Sequence, residues 1–117
     1  MKFEQLNVWQ RSLALSKEVY LHFKSCPDYG FKDQITRSSL SIPSNIAEGH
    51  ERQSTKELIR FLMYSRGSCG ELRTQIYLGI EIDYIDSSVG QRWIDESIEI
   101  SKMITGLIKY RKENFNE

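Results

Sequence analysis

Near the middle of the chain, seven small or apolar side chains recur alternately every four and three residues. They are Leu58, Leu62, Ser65, Cys69, Leu72, Ile76 and Gly79. This spacing places them along one side of an α-helix for about three heptads, and it differs from the two-residue alternation of a strand. Because Ser65, Cys69 and Gly79 are small, we expect a neighbouring helix to approach closely there. The pattern therefore predicts helices packed against one another.

Three further segments show apolar residues at helical spacing, and turn residues separate all four. The predicted helices cover about residues 7–24, 31–48, 55–82 and 88–112. The side chains expected to face inward on the other three are Leu6, Trp9, Leu13, Tyr20 and Phe23, then Phe31, Ile35, Ile42 and Ile46, and finally Trp93, Ile100, Ile104 and Leu107. Short connections between such helices predict an all-α fold, an antiparallel up-down-up-down four-helix bundle that forms a single domain over residues 1–117.

The predicted second helix contains a proline. Pro43 removes one backbone hydrogen bond, which favours either two short helices broken at residues 41–42 or one helix kinked near Pro43. Ile35, Ile42 and Ile46 keep a single phase across the proline, so we expect the kinked helix. Gly49 suits the left-handed position that closes a helix.

Capping residues mark the other helix starts. Ser54 and Glu57 have the spacing of a capping box before the third helix. Asn7 is a candidate N-cap for the first helix, and Ser87 or Ser88 for the fourth.

The charge of the chain is balanced overall but uneven along its length. With 16 basic and 16 acidic residues, it is not a polycation that would bind nucleic acid non-specifically. Residues 81–101 carry one basic and six acidic side chains, whereas residues 102–112 carry four basic and no acidic ones. A locally basic surface is therefore compatible with a neutral whole.

The sequence favours a cytoplasmic protein without a membrane partner. Cys26 and Cys69 are the only cysteines, too few for a disulfide framework. The first twelve residues lack the apolar run of a signal peptide, and no stretch reaches the length of a membrane span.

Catalytic and metal-binding templates are absent from the sequence. It contains no glycine-rich loop after a strand, no zinc motif and no nucleophile elbow. His22 and Cys26, four residues apart, could share a metal, but no second pair of ligands follows. We therefore expect no enzymatic activity, no metal and no cofactor. Hydrolysis by Glu48 or Glu71 would require an exposed carboxylate pair with raised pKa values.

Basic residues recur along the start of the third helix. Arg52, Lys56 and Arg60 are four residues apart and share one face, while Arg66 and Arg73 share another line. A ridge of this kind could follow a phosphate backbone with salt-sensitive affinity. The competing interpretation is a solvated face, partly neutralised by acidic neighbours. We interpret the basic end of the fourth helix as compensation of the helix dipole.

Three segments carry a family resemblance: FEQLNVWQRSLAL, QITRSSLSIPSNIAEG and STKELIRFLMYSRGSCGEL. In this order and spacing they resemble the four-helix-bundle proteins encoded by intervening sequences of bacterial 23S ribosomal RNA genes, also called S23 ribosomal proteins. The most specific combination is residues 45–49 with residues 66–68. The similarity runs from Phe3 to about Leu78, and the fourth helix agrees in length and pattern.

The resemblance implies a bundle that assembles into a ring of five subunits around a central channel. A related group, the accessory variability proteins of diversity-generating retroelements, shares the bundle and ring and binds nucleic acid through basic surface. The family itself has no established biochemical role. The resemblance thus bears on the fold more than on the function.

Four polar residues on the family's motif positions are candidates for a structural network. They are Arg37, Asn45, Glu48 and Glu71, and they could bond to one another within a subunit or between subunits. Antiparallel register places Glu18 level with Arg37, and Arg66 level with Ile104.

Two functional hypotheses follow. The first is a homo-oligomer, a suspected pentamer, that binds RNA or single-stranded DNA through a local basic surface. The second is a structural or protein-interaction scaffold without nucleic-acid binding. Both include self-association, because apolar residues also fall off the main seams, and such patches usually mark association surfaces. These residues are Ile59, Phe61, Met63 and Tyr64 on the third helix and Ile94, Ile98 and Ile108 on the fourth.

Overall fold

The computed structural model describes residues 2–114, which form four long α-helices joined by short turns. The helices are α1 (Asn7–His22), α2 (Tyr29–Glu51), α3 (Thr55–Glu81) and α4 (Ser87–Asn114), preceded by a 3₁₀ turn at Phe3–Gln5. Residues 2–114 contain no β-strand, and the predicted all-α fold is confirmed. Residue 1 and residues 115–117, the ends of the predicted domain, lie outside the described residues.

Each helix packs against the next one along the chain, and α1 closes the bundle against α4. Because the chain reverses at every short turn, the order is up-down-up-down, in an envelope of 47 × 21 × 20 Å. The contact between α1 and α4 is the least extensive of the four. No helix within the described residues combines the length and apolar character needed to cross a membrane.

The α3 seam is buried as predicted, at all seven positions. Ser65 donates a hydrogen bond of 2.8 Å to the backbone carbonyl of Ile42, so α2 and α3 approach closely at this small residue. The Ser54 hydroxyl accepts the backbone N–H of Glu57 at 3.1 Å, which confirms the predicted helix start. The Glu57 side chain forms an ion pair with Arg60.

The predicted inward face of α1 is only partly confirmed, because Phe23 is buried and Leu6 and Trp9 pack against the core, whereas Leu13 and Tyr20 do not lie inward. Its buried residues are Val8, Ser12, Leu15, Ser16 and Val19, with Phe23 just beyond the helix. By contrast, Leu13 and Tyr20 are 40% and 42% exposed. Ser16 shares a 3.0 Å hydrogen bond with Ser39 of α2. Small serines with satisfied hydroxyls thus share the interior with apolar side chains, while Leu13 and Tyr20 turn outward.

The second helix is continuous through Pro43, which confirms one helix rather than two, while the kink itself stays a prediction. Gly49 does not close this helix, contrary to the prediction. The helix continues to Glu51, and the described part of the chain has no glycine with positive φ. A Cβ at Gly49 would lie 3.0 Å from the Cβ of Phe61, so the close approach of α3 accounts for the glycine.

The predicted caps of α1 and α4 are displaced. Asn7 is the first residue of α1, after Leu6 at the cap position, where no side-chain cap bond forms. The first turn of α4 closes with a 2.8 Å bond from the Gly90 N–H to the Asp86 carbonyl, so Asp86 precedes the helix instead of Ser87 or Ser88.

The second apolar stripe predicted for α4 is largely internal. Ile94 and Ile108 are buried, and Ile98 alone of the three is exposed, at 37%. Trp93, Ile100 and Ile104 are buried as predicted, and Leu107 packs against the core. The part of α4 that faces the core is therefore wider than a single stripe of apolar residues.

Candidate functional site

The five basic residues predicted to form a nucleic-acid surface divide into two groups. Arg52, Lys56 and Arg60 lie around the turn from α2 to α3, whereas Arg66 and Arg73 face α4. The first group carries ion pairs of its own, because Arg52 lies 3.7 Å from Glu48 and Arg60 lies 2.8 Å from Glu57. These pairs are largely exposed and contribute little to stability.

Aromatic rings underlie the first group. The guanidinium carbon of Arg52 lies 4.8 Å from the centre of the Phe61 ring, and that of Arg60 lies 5.2 Å from the same ring. Arg60 also lies 5.8 Å from the ring of Tyr64. We call Arg52, Arg60, Phe61 and Tyr64 the arginine–aromatic corner. Its arginines are held over ring faces by cation–π attraction.

The second group lines a groove between α3 and α4. Arg66 donates a 3.1 Å hydrogen bond to the Thr105 hydroxyl, and Arg73 donates a 3.3 Å bond to the Ser97 hydroxyl. Two hollows of about 250 and 350 Å³ share Thr105 and so lie end to end along this helix pair. We call them together the α3/α4 groove. Its arginines are positioned by neutral hydroxyls, which leave their charge uncompensated.

Lysines of α4 complete the α3/α4 groove. Lys102 lines one hollow, and Lys109 and Lys112 line the other. Five cations thus face a single carboxylate, Glu113, and none of the five forms an ion pair within residues 2–114. The sequence carries a signal of this surface, the four basic residues between 102 and 112, although our interpretation of Lys109, Arg111 and Lys112 from the sequence is compensation of the helix dipole. The spacing of seven between Lys102 and Lys109 places both on one face.

The predicted polar network is not joined within the described subunit. Arg37 pairs with Asp33 at 3.0 Å, and Glu48 pairs with Arg52. Asn45 donates to the Ser41 carbonyl at 2.8 Å. Arg37 and Glu71 do line the same hollow of about 540 Å³ on the outer face of α2, together with Tyr20 and Leu40. A network between subunits stays a prediction.

The opposite flank of α4 faces α1 across a groove of different charge. This groove, of about 720 Å³, is lined by four acidic residues (Glu18, Asp95, Glu96 and Glu99) and two basic ones (Arg11 and Arg92). Arg11 binds Glu96 through two hydrogen bonds, at 2.5 and 2.9 Å, and these bonds lower the pKa of the Glu96 carboxyl. Glu18 accepts a 2.6 Å bond from Arg92. The two flanks of α4 therefore differ in sign.

Cys69 is not arranged as a nucleophile. Burial raises the pKa of Cys69 to about 11, so its thiol stays protonated. The sequence spacing of His22 and Cys26 makes them a possible pair of metal ligands. The His22 ring instead hydrogen-bonds the Tyr84 carbonyl at 3.0 Å. Within residues 2–114, no group of three or more histidine, cysteine or acidic side chains is placed to hold a metal ion.

The comparisons with known proteins agree with this fold. The chain is similar to a solved protein of unknown function from the S23 ribosomal protein family of Bacteroides thetaiotaomicron, with 26% sequence identity and a TM-score of 0.81. The match covers 87% of this chain and 98% of that one. No curated protein matches the chain. The family model described as 23S rRNA-intervening sequence protein matches residues 4–106, and the chain belongs to this family.

Proposed function

We propose that this chain is a non-enzymatic, self-associating protein of the cytoplasm that binds RNA through the α3/α4 groove. The observation that supports this most strongly is the charge of that groove, where five cations face one carboxylate. Phosphate contacts from such a set supply sequence-independent affinity for nucleic acid. A neutral chain can bind in this way because the α3/α4 groove is locally basic, whereas the groove on the other flank of α4 carries four acidic and two basic residues.

RNA is the preferred ligand over single-stranded DNA because of the family. Its description ties the members to intervening sequences of 23S ribosomal RNA. The groove itself recognises phosphate, which both polymers carry, so the preference does not come from the groove. Proteins distinguish the two polymers through contacts to the 2′-hydroxyl. Comparing RNA and DNA oligonucleotides of one sequence therefore tests this part of the proposal separately.

The non-enzymatic part rests on the side chains that would otherwise react. Cys69 is buried with a raised pKa, and Glu48 is held in an exposed ion pair with Arg52. The cytoplasmic assignment rests on the free thiols of Cys26 and Cys69.

The second candidate function is a scaffold that binds no nucleic acid. It is favoured by the exposed apolar side chains Tyr20 and Leu40 beside the hollow on α2, which suit a protein partner or another subunit. Assembly as a pentamer, which the family resemblance implies, is compatible with both candidates. Binding of RNA distinguishes them.

The test uses charge reversal in the groove. Fluorescence anisotropy is measured with a labelled single-stranded RNA of roughly 12 nucleotides, a length within the usual site sizes. We expect salt-sensitive binding by the wild type and at least a roughly tenfold loss in the double variant Lys102→Glu/Lys109→Glu. The slope of log affinity against log salt should fall by roughly 1.4 if each lysine contacts one phosphate.

The matched control is Lys17→Glu/Lys24→Glu, which changes the net charge equally at exposed positions of the α1 segment. We expect this control to retain affinity within about threefold, because long-range charge effects are screened by salt. Equal losses in the two double variants would contradict a role for the groove. If the wild type does not bind RNA at low salt, the scaffold is the candidate function that remains.

A further inference from the structure

The arginine–aromatic corner contains an aromatic side chain that the bundle leaves uncovered. Tyr64 is 50% exposed, although its ring meets Phe61 edge to face with centroids 5.5 Å apart. Phe61 itself is anchored, because its Cβ lies against Gly49 of α2. One ring is therefore fixed by the fold, and the next projects from it into solvent.

The corner combines the groups that bind unpaired bases. Single-strand binding proteins stack successive bases on exposed aromatic rings and add cation–π attraction from arginine. Here Arg60 lies within 6 Å of two rings, at 5.2 Å from Phe61 and 5.8 Å from Tyr64. Its ion pair with Glu57 is exposed, so the charge remains available to a base or to a nearby phosphate.

The corner and the α3/α4 groove lie at the same level of α3. Tyr64 and Arg66 are two residues apart and so lie on opposite flanks of the helix. Gly67 lies on the helix surface between them. It has no side chain to block a bound strand, and a Cβ added there would meet no heavy atom within 4 Å. Half the circumference of a helix about 10–12 Å wide is roughly 17 Å, a distance that a single strand of a few nucleotides spans.

We propose that the arginine–aromatic corner stacks unpaired bases of a single strand whose phosphates occupy the α3/α4 groove. The inference rests on the proposed function and adds to it the structural class of the ligand. Bases in a duplex are already stacked and paired, so only single-stranded RNA presents a free base to Tyr64. The corner therefore selects single strands, and the groove supplies affinity for either form.

The experiment compares three labelled probes of equal length: single-stranded oligouridine, the corresponding abasic strand and a blunt RNA duplex. We expect Tyr64→Ala to weaken oligouridine binding roughly 5- to 100-fold, the effect of losing one stacked base. Binding of the abasic strand and the duplex should stay within about twofold, because they offer no base to the ring. Tyr64→Trp should retain oligouridine binding, since it keeps an aromatic face at an exposed site.

The matched control is Tyr29→Ala, which removes a 77% exposed tyrosine at the opposite end of α2. It should bind all three probes like the wild type. Sedimentation velocity on each variant separates stacking from a contact between copies of the chain. If Tyr64→Ala dissociates the assembly, the corner is a subunit contact and the inference is overturned.

Two results distinguish failure of this inference from failure of the proposed function. If the groove variant Lys102→Glu/Lys109→Glu loses affinity but Tyr64→Ala binds oligouridine like the wild type, only the stacking role is wrong. If the wild type binds none of the probes, the proposed function and this inference fall together. Equal weakening of oligouridine and the abasic strand by Tyr64→Ala also contradicts stacking.

Discussion

Gly67 and Gly90 both lie within helices, but their surroundings differ. A Cβ at Gly67 would meet no heavy atom within 4 Å, whereas one at Gly90 would lie 2.6 Å from Cγ1 of Ile80. We expect Gly67→Ala to raise the free energy of unfolding by about 1 kcal/mol through helix propensity. Gly90→Ala should lower it by about 1–3 kcal/mol through overpacking. Urea denaturation measures both, and a change of the same sign in the two variants would contradict this account.

His50 provides a residue-scale prediction for pH. Its Nδ1 lies 2.8 Å from the Ile46 carbonyl. Burial lowers its pKa from the usual 6.5, the charge of Arg111 assists, and the hydrogen bond to Ile46 and the charge of Glu51 oppose this shift. The unfolded chain therefore binds this proton at higher pH than the folded protein does. The stability that neutral His50 contributes is present above pH 6.5 and is lost as pH falls below it.

The variant His50→Gln isolates this effect, because it keeps a polar side chain that does not titrate. We expect the free energy of unfolding of the wild type to fall more steeply between roughly pH 7 and pH 5 than that of the variant. Denaturation curves recorded at each pH measure the two slopes. Parallel slopes would show that His50 is not the group responsible.

At the scale of the element, the buried face of α3 could be predicted from sequence, whereas that of α1 could be predicted only in part. The α3 seam is regular, and leucine and isoleucine fill four of its seven positions, so a count of apolar spacing finds the buried face. In α1 the buried face includes Ser12 and Ser16, whose hydroxyls bond the Trp9 carbonyl and Ser39. Such serines act as small spacers between close helices. Sequence alone gives them no sign of burial, because the partners that satisfy them become known only in the fold.

The basic residues of the α3/α4 groove could likewise be predicted only in part from the sequence. Arg66 and Arg73 could be grouped from their spacing on one helix, and the structure does place both in the α3/α4 groove. Lys102, Lys109 and Lys112 were visible as a basic run, but their role depends on the register between α3 and α4. A surface formed by two helices is thus predictable only once their relative position is known.

For the whole molecule, charge is separated across α4. The groove toward α1 is mainly acidic, and the α3/α4 groove is mainly basic. The chain has no net charge to attract a polyanion. The separation of acidic and basic grooves across α4 forms a dipole, and this dipole orients an approaching polyanion. This orientation would present the α3/α4 groove first and keep the acidic flank away from the ligand.

Self-association is the remaining prediction for the whole molecule. One bundle core leaves Tyr20 and Leu40 exposed beside the same hollow on α2, and we expect a second copy to cover them. Sedimentation equilibrium at micromolar concentration should give a closed assembly, five times the mass of one chain if the family resemblance holds. Leu40→Lys should reduce the mass to that of a single chain, because a charge in an apolar contact must be desolvated. Leu21→Lys, at a 61% exposed leucine on another face of α1, is the matched control and should leave the assembly intact. A wild type that sediments as a monomer would contradict the prediction and would leave these apolar side chains to a different partner.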